Sequence, residues 1–369
     1  MFLSKRSLLS LALLLLALAI SASGQTSKTS WGTTAQGQPV ELYTLTDGAL
    51  TVRITTYGAR VVSILTPDRT GKPGDVVLGY AKVSDYETDK TYFGSIVGRY
   101  GNRIAKGMFS IDGKQYQVPL NDGANALHGG TVGFANKLWT GRIIPDGVEM
   151  SIVSPDGDMG FPGTLTAHVR YTLHGHALHI EYSATTTKPT VANLTNHSYF
   201  NLAGDGQGTI LNEVLMLNAD KYTPVAAGLI PTGELAPVAD TPFDFRKPTA
   251  IGARINEPNE QLKIAGGYDH NFVLNGTARM HLAAVAYDPT SGRTLTVTTT
   301  EPGVQFYSGN FLDGTRTGKF GGMYPKYAGF CLETQHFPDA PNEPTFASTL
   351  LRPGETLHST TVFTFGVRK

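Results

Sequence analysis

Apolar and polar residues alternate along many short runs of this chain, and that period of two limits its fold more than any other feature. Examples are Leu50-Thr-Val-Arg-Ile54, Ala167-His-Val-Arg-Tyr-Thr-Leu173, Leu178-His-Ile-Glu-Tyr182, Leu295-Thr-Val-Thr-Thr299 and Thr360-Thr-Val-Phe-Thr-Phe365. Successive side chains of a strand leave on opposite faces, so such runs read as half-buried strands. Turn pairs separate them: Asp47-Gly48, Asp112-Gly113, His174-Gly175, Asn275-Gly276 and Pro353-Gly354. The 42 glycines among 369 residues supply many more such turns. The stretch from His174 to Ala177 reads as the loop of a hairpin. No segment sustains a helical period, and only short helical turns are expected, near residues 84–89 and 251–256. No linker, composition break or fixed-period repeat divides the chain. Residues 25–369 therefore read as one all-β domain, a large antiparallel β-sandwich.

The N-terminus has a different texture. Lys5 and Arg6 precede an apolar run over residues 8–20, followed by Ser21-Ala22-Ser23-Gly24. This is the three-part layout of a secretory signal peptide, with cleavage expected after Gly24. The apolar run is shorter than the ~20 residues a spanning helix needs; an uncleaved anchor is the competing reading. The expectation is an exported protein, periplasmic or secreted, that leaves the membrane once residues 1–24 are removed.

Charge and cysteine content exclude several function classes. Thirty basic and thirty acidic residues give a formal net charge of zero, which offers no electrostatic footprint for nucleic acid. The single cysteine, Cys331, can form neither an internal disulfide nor a cysteine-based zinc site. His174, His176 and His179 are close in sequence, but the first two fall in the expected hairpin loop and no carboxylate or cysteine completes a ligand set. The Gly-rich segment Gly157-Asp-Met-Gly-Phe-Pro-Gly163 lacks the lysine of a phosphate loop. No metal and no cofactor are expected.

Reactive side chains concentrate in Gly98-Arg-Tyr-Gly-Asn-Arg-Ile104, Asn125-Ala-Leu-His-Gly-Gly130, Thr195-Asn-His-Ser-Tyr-Phe-Asn-Leu202, Tyr268-Asp-His-Asn-Phe272 and Phe330-Cys-Leu-Glu-Thr-Gln-His336. Each has a plain structural reading beside a functional one. Arg103 reads as a surface cation or, beside Asn102 in a Gly-bounded loop, as a ligand contact. His128 reads as a turn histidine, although the two glycines after it would let the backbone approach a ligand closely. His197 reads equally well as part of a satisfied polar network. Asp269 reads as an Asx-turn residue. Glu333 is the most informative, because alternation along 328–336 places it on one strand face with Cys331 and Gln335. A carboxylate in that position is partly buried, and buried acids are usually paired or functional.

Taken in order, these segments resemble the aldose 1-epimerase (galactose mutarotase) family. The resemblance runs from Leu42-Tyr-Thr-Leu45 through the five segments above, with Gly133-Phe134, Trp139, Ser154-Pro-Asp-Gly-Asp-Met-Gly-Phe-Pro-Gly163, Leu229-Ile-Pro-Thr-Gly-Glu234, Thr241-Pro-Phe-Asp-Phe-Arg246 and Pro302-Gly-Val-Gln-Phe-Tyr307. It implies a β-sandwich with an open sugar-binding cleft and a small-molecule sugar as the partner. It also implies Glu333 as catalytic base, His197 as general acid and His128 as a second active-site histidine. Arg103 and Asp269 are implied to hold sugar hydroxyls, with Asn102 and Gln305 as further contacts. The N-terminal leader departs from the many relatives that are cytoplasmic. Whether the chain acts as monomer or homodimer stays open.

The chemistry suits these residue types independently of the family. Exchanging anomers of a free aldohexose such as glucose or galactose requires the anomeric hydroxyl to lose a proton while the ring oxygen gains one. A carboxylate and an imidazole across that bond meet both needs, each worth ~10²–10⁴ in rate. Two other classes remain at this point. A glycoside hydrolase would pair Asp269 with Glu333, and a noncatalytic sugar-binding module would use the cleft alone, although His197 together with Glu333 argues against the module.

Overall fold

The computed structural model describes residues 24–276 and 279–369. The leader read at residues 1–24 thus lies, but for Gly24, outside the described residues. Among those described, paired strands are antiparallel throughout and form three principal sheets. The first is a five-stranded meander in sequence order: Gln25–Thr33, Pro39–Asp47, Leu50–Thr55, Arg60–Pro67 and Pro73–Asp75. The second has nine strands and includes Gly147–Ser154, Leu165–His174, Ala177–Thr186, Leu357–Val367, Arg293–Thr299 and His281–Tyr287 as consecutive neighbours. The third has six, ordered Tyr199–Phe200, Phe330–Gln335, Gly303–Tyr307, Asp269–Leu274, Ala219–Tyr222 and Ala236–Pro237.

Alternation becomes burial where one sheet face meets the core. In Leu165–His174, Leu165, Ala167, Val169, Tyr171 and Leu173 are buried, while the intervening residues are half-buried or exposed. The same strand pairs with Ala177–Thr186 from Leu165↔Thr186 to His174↔Ala177, so Gly175 and His176 form the expected tight hairpin loop. One continuous core joins the three sheets. Leu45, Val52 and Ile54 come from the first, Val169, Ile180 and Phe363 from the second, and Phe272, Phe306, Phe330 and Leu332 from the third. Phe200 of the third meets Phe363 of the second edge to face at 5.2 Å between ring centroids.

The helical content is small. Val83–Thr88 forms close to one expected turn, and a 3₁₀ turn at Ile251–Ala253 meets the other. The helix Glu260–Ala265 was not expected from the periodicity, being too short to show one. Its ends do carry the usual punctuation. The Asn259 side chain accepts from the Gln261 and Leu262 N–H groups, and Gly266 closes the helix at positive φ.

The six-stranded sheet positions the functional residues. Its central strands Gly303–Tyr307 and Phe330–Gln335 are buried on both faces. Phe330 and Leu332 point into the core, so Cys331, Glu333 and Gln335 take the opposite face, as the alternation requires. Gln305 stands in register between Glu333 on one neighbour and Asn271 on the other.

Candidate active site

A cleft opens over that opposite face. Its walls are Lys90, Thr91, Tyr92, Asn102, Arg103, Leu127, His128, His197, Tyr199, Asp269, Tyr307, Phe311, Leu312, Arg316 and Glu333. Six sequence-distant stretches meet here, and six of the seven residues singled out from the sequence line the cleft together. Gln305 is the exception. It sits behind the wall and donates from Nε2 to Asp269 Oδ1 at 2.7 Å.

At the floor, Glu333 Oε2 lies 3.6 Å from His197 Nε2, with both side chains almost fully buried. Glu333 Oε2 has no hydrogen-bond partner. A buried acceptor left unpaired costs stability in a purely structural role, but it is available to a ligand. The His197 ring stacks on Tyr199 at 5.2 Å and meets His128 edge to face at 5.0 Å. Tyr92 packs against both rings, 4.6 Å from His128 and 5.9 Å from His197 between centroids.

His128 is held by backbone. The Asn102 N–H donates to His128 Nδ1 at 3.1 Å, and the His128 N–H donates to the Asn102 carbonyl at 3.0 Å. Nδ1 is thus an acceptor, and a neutral His128 carries its proton on Nε2. Asn102 sits at φ +62°, in the left-handed region, where its Oδ1 accepts from the Arg103 N–H at 2.9 Å. Asparagine is among the few side chains that tolerate that conformation.

Arg103 ties the polar wall together. Its Nε donates to Asp122 Oδ2 at 2.8 Å, and its Nη1 lies 3.7 Å from Asp269 Oδ2. Asp269 is fixed by Arg103 on one oxygen and Gln305 on the other.

Burial dominates the electrostatics. It pushes Glu333 well above the ordinary carboxylate range; Asp269 adds to the rise and Arg103 opposes it. It presses His197 down to about 3 against the opposing pull of the residue's own carbonyl, with the Arg60 guanidinium adding to the fall. His128 is lowered well below the usual value by burial, then by His197 and Arg103. Asp269 is raised by burial, against Arg103 and Gln305. Groups displaced this far are suited to exchanging protons with a bound molecule. One donor atom each of His128, His197 and Glu333 fall within 4.8 Å of one another, as compact for proton exchange as for a ligand set. His174 and His179 meet edge to face at 4.9 Å and join no such grouping among the described residues.

Sequence reasoning missed Tyr92, Asp122, Tyr307, Phe311 and Arg316. Asp122 sits in an Asn-Asp-Gly turn, indistinguishable from any other turn until Arg103 is seen beside it. Arg60, fully buried with its guanidinium donating to the Phe93 and Ala135 carbonyls, was also missed.

Comparison with known proteins fits this architecture. The family model described as aldose 1-epimerase matches residues 41–364. The galactose mutarotase of Homo sapiens is 48% identical over 331 residues, covering 90% of this chain and 95% of that protein. The aldose 1-epimerase of Escherichia coli K12 is 38% identical over 337 residues, covering 89% and 96%. Among solved structures, galactose 1-epimerase from Lactobacillus acidophilus superposes with a TM-score of 0.82 at 30% identity, over 94% of this chain and all of that one. The aldose epimerase homologue from C. elegans gives 0.80 at 32% identity, over 87% and 97%. These relatives correct the expectation of export: the mammalian and E. coli enzymes are cytosolic. The chain belongs to the aldose 1-epimerase family of isomerases, which interconvert the α and β anomers of free aldohexoses.

Proposed function

We propose that this chain exchanges the anomers of hexoses such as glucose and galactose with Glu333 as the base and His197 as the acid. The observation that carries this reading is the approach of Glu333 Oε2 to His197 Nε2 at 3.6 Å on the cleft floor. Burial displaces the two groups in opposite directions. The pair holds one proton between them. The form favoured by burial is a neutral acid beside a neutral imidazole. Moving that proton from Oε2 to Nε2 gives carboxylate and imidazolium at the same net charge, a stronger base and a stronger acid than either group is in water.

In that form the Glu333 carboxylate removes the proton of the C1 hydroxyl. The C1–O5 bond breaks with its electron pair on O5, which takes the proton from His197 Nε2. The open-chain aldehyde then turns about C1–C2, and the reverse transfers close the ring on the other face. Arg103, Asp269, His128 and Asn102 hold the remaining hydroxyls. Gln305 and Asp122 act one step back, by fixing Asp269 and Arg103. The lining residues come from stretches far apart in the sequence, which supports reading residues 25–369 as one domain.

Polarimetry of freshly dissolved α-D-glucose tests the assignment. The protein should accelerate the optical drift, and Glu333→Gln and His197→Asn should each remove most of the acceleration while the variants stay folded. Near-wild-type turnover in either folded variant would take that residue out of the mechanism.

A further inference from the structure

Cys331 has no part in the steps above, yet it stands where it bears on them. It is fully buried, one strand pitch from Glu333 on the same face of Phe330–Gln335. Two same-face neighbours on a strand are separated by about 7 Å. The His197 imidazole lies between them with a nitrogen toward each: Nε2 is 3.6 Å from Glu333 Oε2, and Nδ1 is 3.6 Å from Cys331 Sγ.

We propose that Cys331 is a positioning residue for His197, its sulfur taking the Nδ1–H and so fixing the tautomer in which Nε2 is the nitrogen that trades a proton with Glu333. This rests on the acid–base reading of His197 given above and goes beyond it. Three features support the assignment. Burial, together with the Glu333 and Asp269 carboxylates, drives the thiol well above its ordinary value, so the sulfur stays an uncharged thiol, a weak acceptor. The residue's own carbonyl also draws a proton toward the ring, and because it shares its acceptor capacity with the Gly94 N–H at 2.9 Å, it holds the Nδ1–H only in part and leaves a share to the sulfur. On the other edge, burial favours the protonated Glu333, which can donate to Nε2 only if Nε2 is bare. A thiol also suits the task better than a carboxylate. A negative charge behind the ring would stabilise the imidazolium and weaken it as an acid; a neutral sulfur sets direction without that cost.

The test uses ¹⁵N-histidine-labelled full-length protein. Long-range ¹H–¹⁵N spectra near pH 7 should show His197 protonated at Nδ1 and bare at Nε2. Cys331→Ala should populate the other tautomer and lower kcat on the order of 10-fold with KM little changed. This is less than the ~10⁴ known for a wholly wrong tautomer, because the carbonyl remains. Cys331→Ser, which restores an uncharged acceptor, should recover the wild-type tautomer and most of the lost kcat. A wild-type ring protonated at Nε2 overturns the proposal, as does a Cys331→Ala protein whose His197 spectrum is unchanged. A shifted tautomer with unchanged kcat upholds the contact and instead sinks the acid assignment.

Discussion

Replacing His197 by asparagine should move activity and acid stability in opposite directions. Asparagine keeps a polar side chain on the cleft floor but has no proton to give a sugar oxygen. Loss of one positioned acid costs ~10²–10⁴ in kcat, roughly 3–5 kcal/mol of transition-state stabilisation. The stability term has its own arithmetic. Burial holds the imidazole down to about 3 against an ordinary 6.5, and unfolding returns it to the ordinary value. Above pH 6.5 neither state binds the proton. Below it the unfolded chain takes one up and the folded protein does not. Stability is therefore present above 6.5 and is lost as pH falls toward 3, at about 1.4 kcal/mol per pH unit once well below 6.5. Between pH 7.5 and 5.5 the wild type should lose about 1.4 kcal/mol more than His197→Asn. His128 adds to the same trend, because His197 helps hold its proton affinity down and the variant relieves that. Urea unfolding of both proteins at the two pH values measures the difference, and polarimetry measures kcat. An unchanged kcat with weakened binding would refute the acid assignment and make His128 the candidate. A stability difference independent of pH would refute the neutral buried imidazole.

Glu333→Gln should lower kcat by at least ~10²-fold without loss of stability at neutral pH. Burial raises the Glu333 proton affinity, so its stabilising effect is full below about 4.5 and is lost as pH rises through the raised value. The Tm of Glu333→Gln relative to wild type should therefore climb with pH, and a flat difference would contradict a raised carboxyl. Asp269→Asn should act mainly on KM, by about 10–100-fold, since hydrogen bonds to a charged group are worth about 1.5–3 kcal/mol; a selective fall in kcat would place Asp269 in the proton transfer. Methyl β-D-galactoside has no anomeric proton to remove and should bind weakly and emerge unchanged by NMR, whereas release of methanol above background would revive a hydrolase built on Asp269 and Glu333.

Strands buried on one face announced themselves in the sequence; of the two central strands buried on both, Phe330–Gln335 was legible within the run 328–336 and Gly303–Tyr307 was not. Leu165–His174 and Ala177–Thr186 alternate and were legible, hairpin loop included. Gly303–Tyr307 and Phe330–Gln335 are buried on both faces, so polarity cannot mark which side meets the core. There the polar residues themselves carried the signal, since Glu333 and Gln335 interrupt an apolar run at spacing two. The cluster at the floor was legible as residue types in order, but its pairing was not. The approach of His197 to both Cys331 and Glu333 depends on residues more than 130 positions apart, a relation no local pattern encodes. Tyr92 and Phe311 were invisible for a related reason: aromatic residues beside turns look alike whether they wall a cleft or pack a loop. The expectation of export shows the opposite failure, a clear local pattern set against relatives that are cytosolic.

Anomer exchange places an unusual demand on an acid–base pair, because substrate and product differ only in the face of C1 that carries the hydroxyl. Whichever anomer enters, one group must take a proton and the other give one, and ring closure reverses the roles. A pair with very unequal proton affinities would favour one half of that cycle and stall the other. In water the ordering runs the other way from the cleft: an ordinary Glu near 4.5 and His near 6.5 leave the proton on the imidazole. Burial raises one and lowers the other past each other. A sugar in the cleft brings hydroxyl dipoles that solvate both ions again and pulls the two affinities back together. Two neighbours act on Glu333 beside burial: the Arg103 guanidinium opposes its rise and Asp269 adds to it. On this account the dry floor holds the proton on Glu333 in the empty cleft, and the sugar's hydroxyls, standing where water is excluded, make it mobile. A variant that admits water beneath His197 without touching either group should therefore slow both directions of exchange equally, and a change in the equilibrium ratio of anomers would be impossible for any of them.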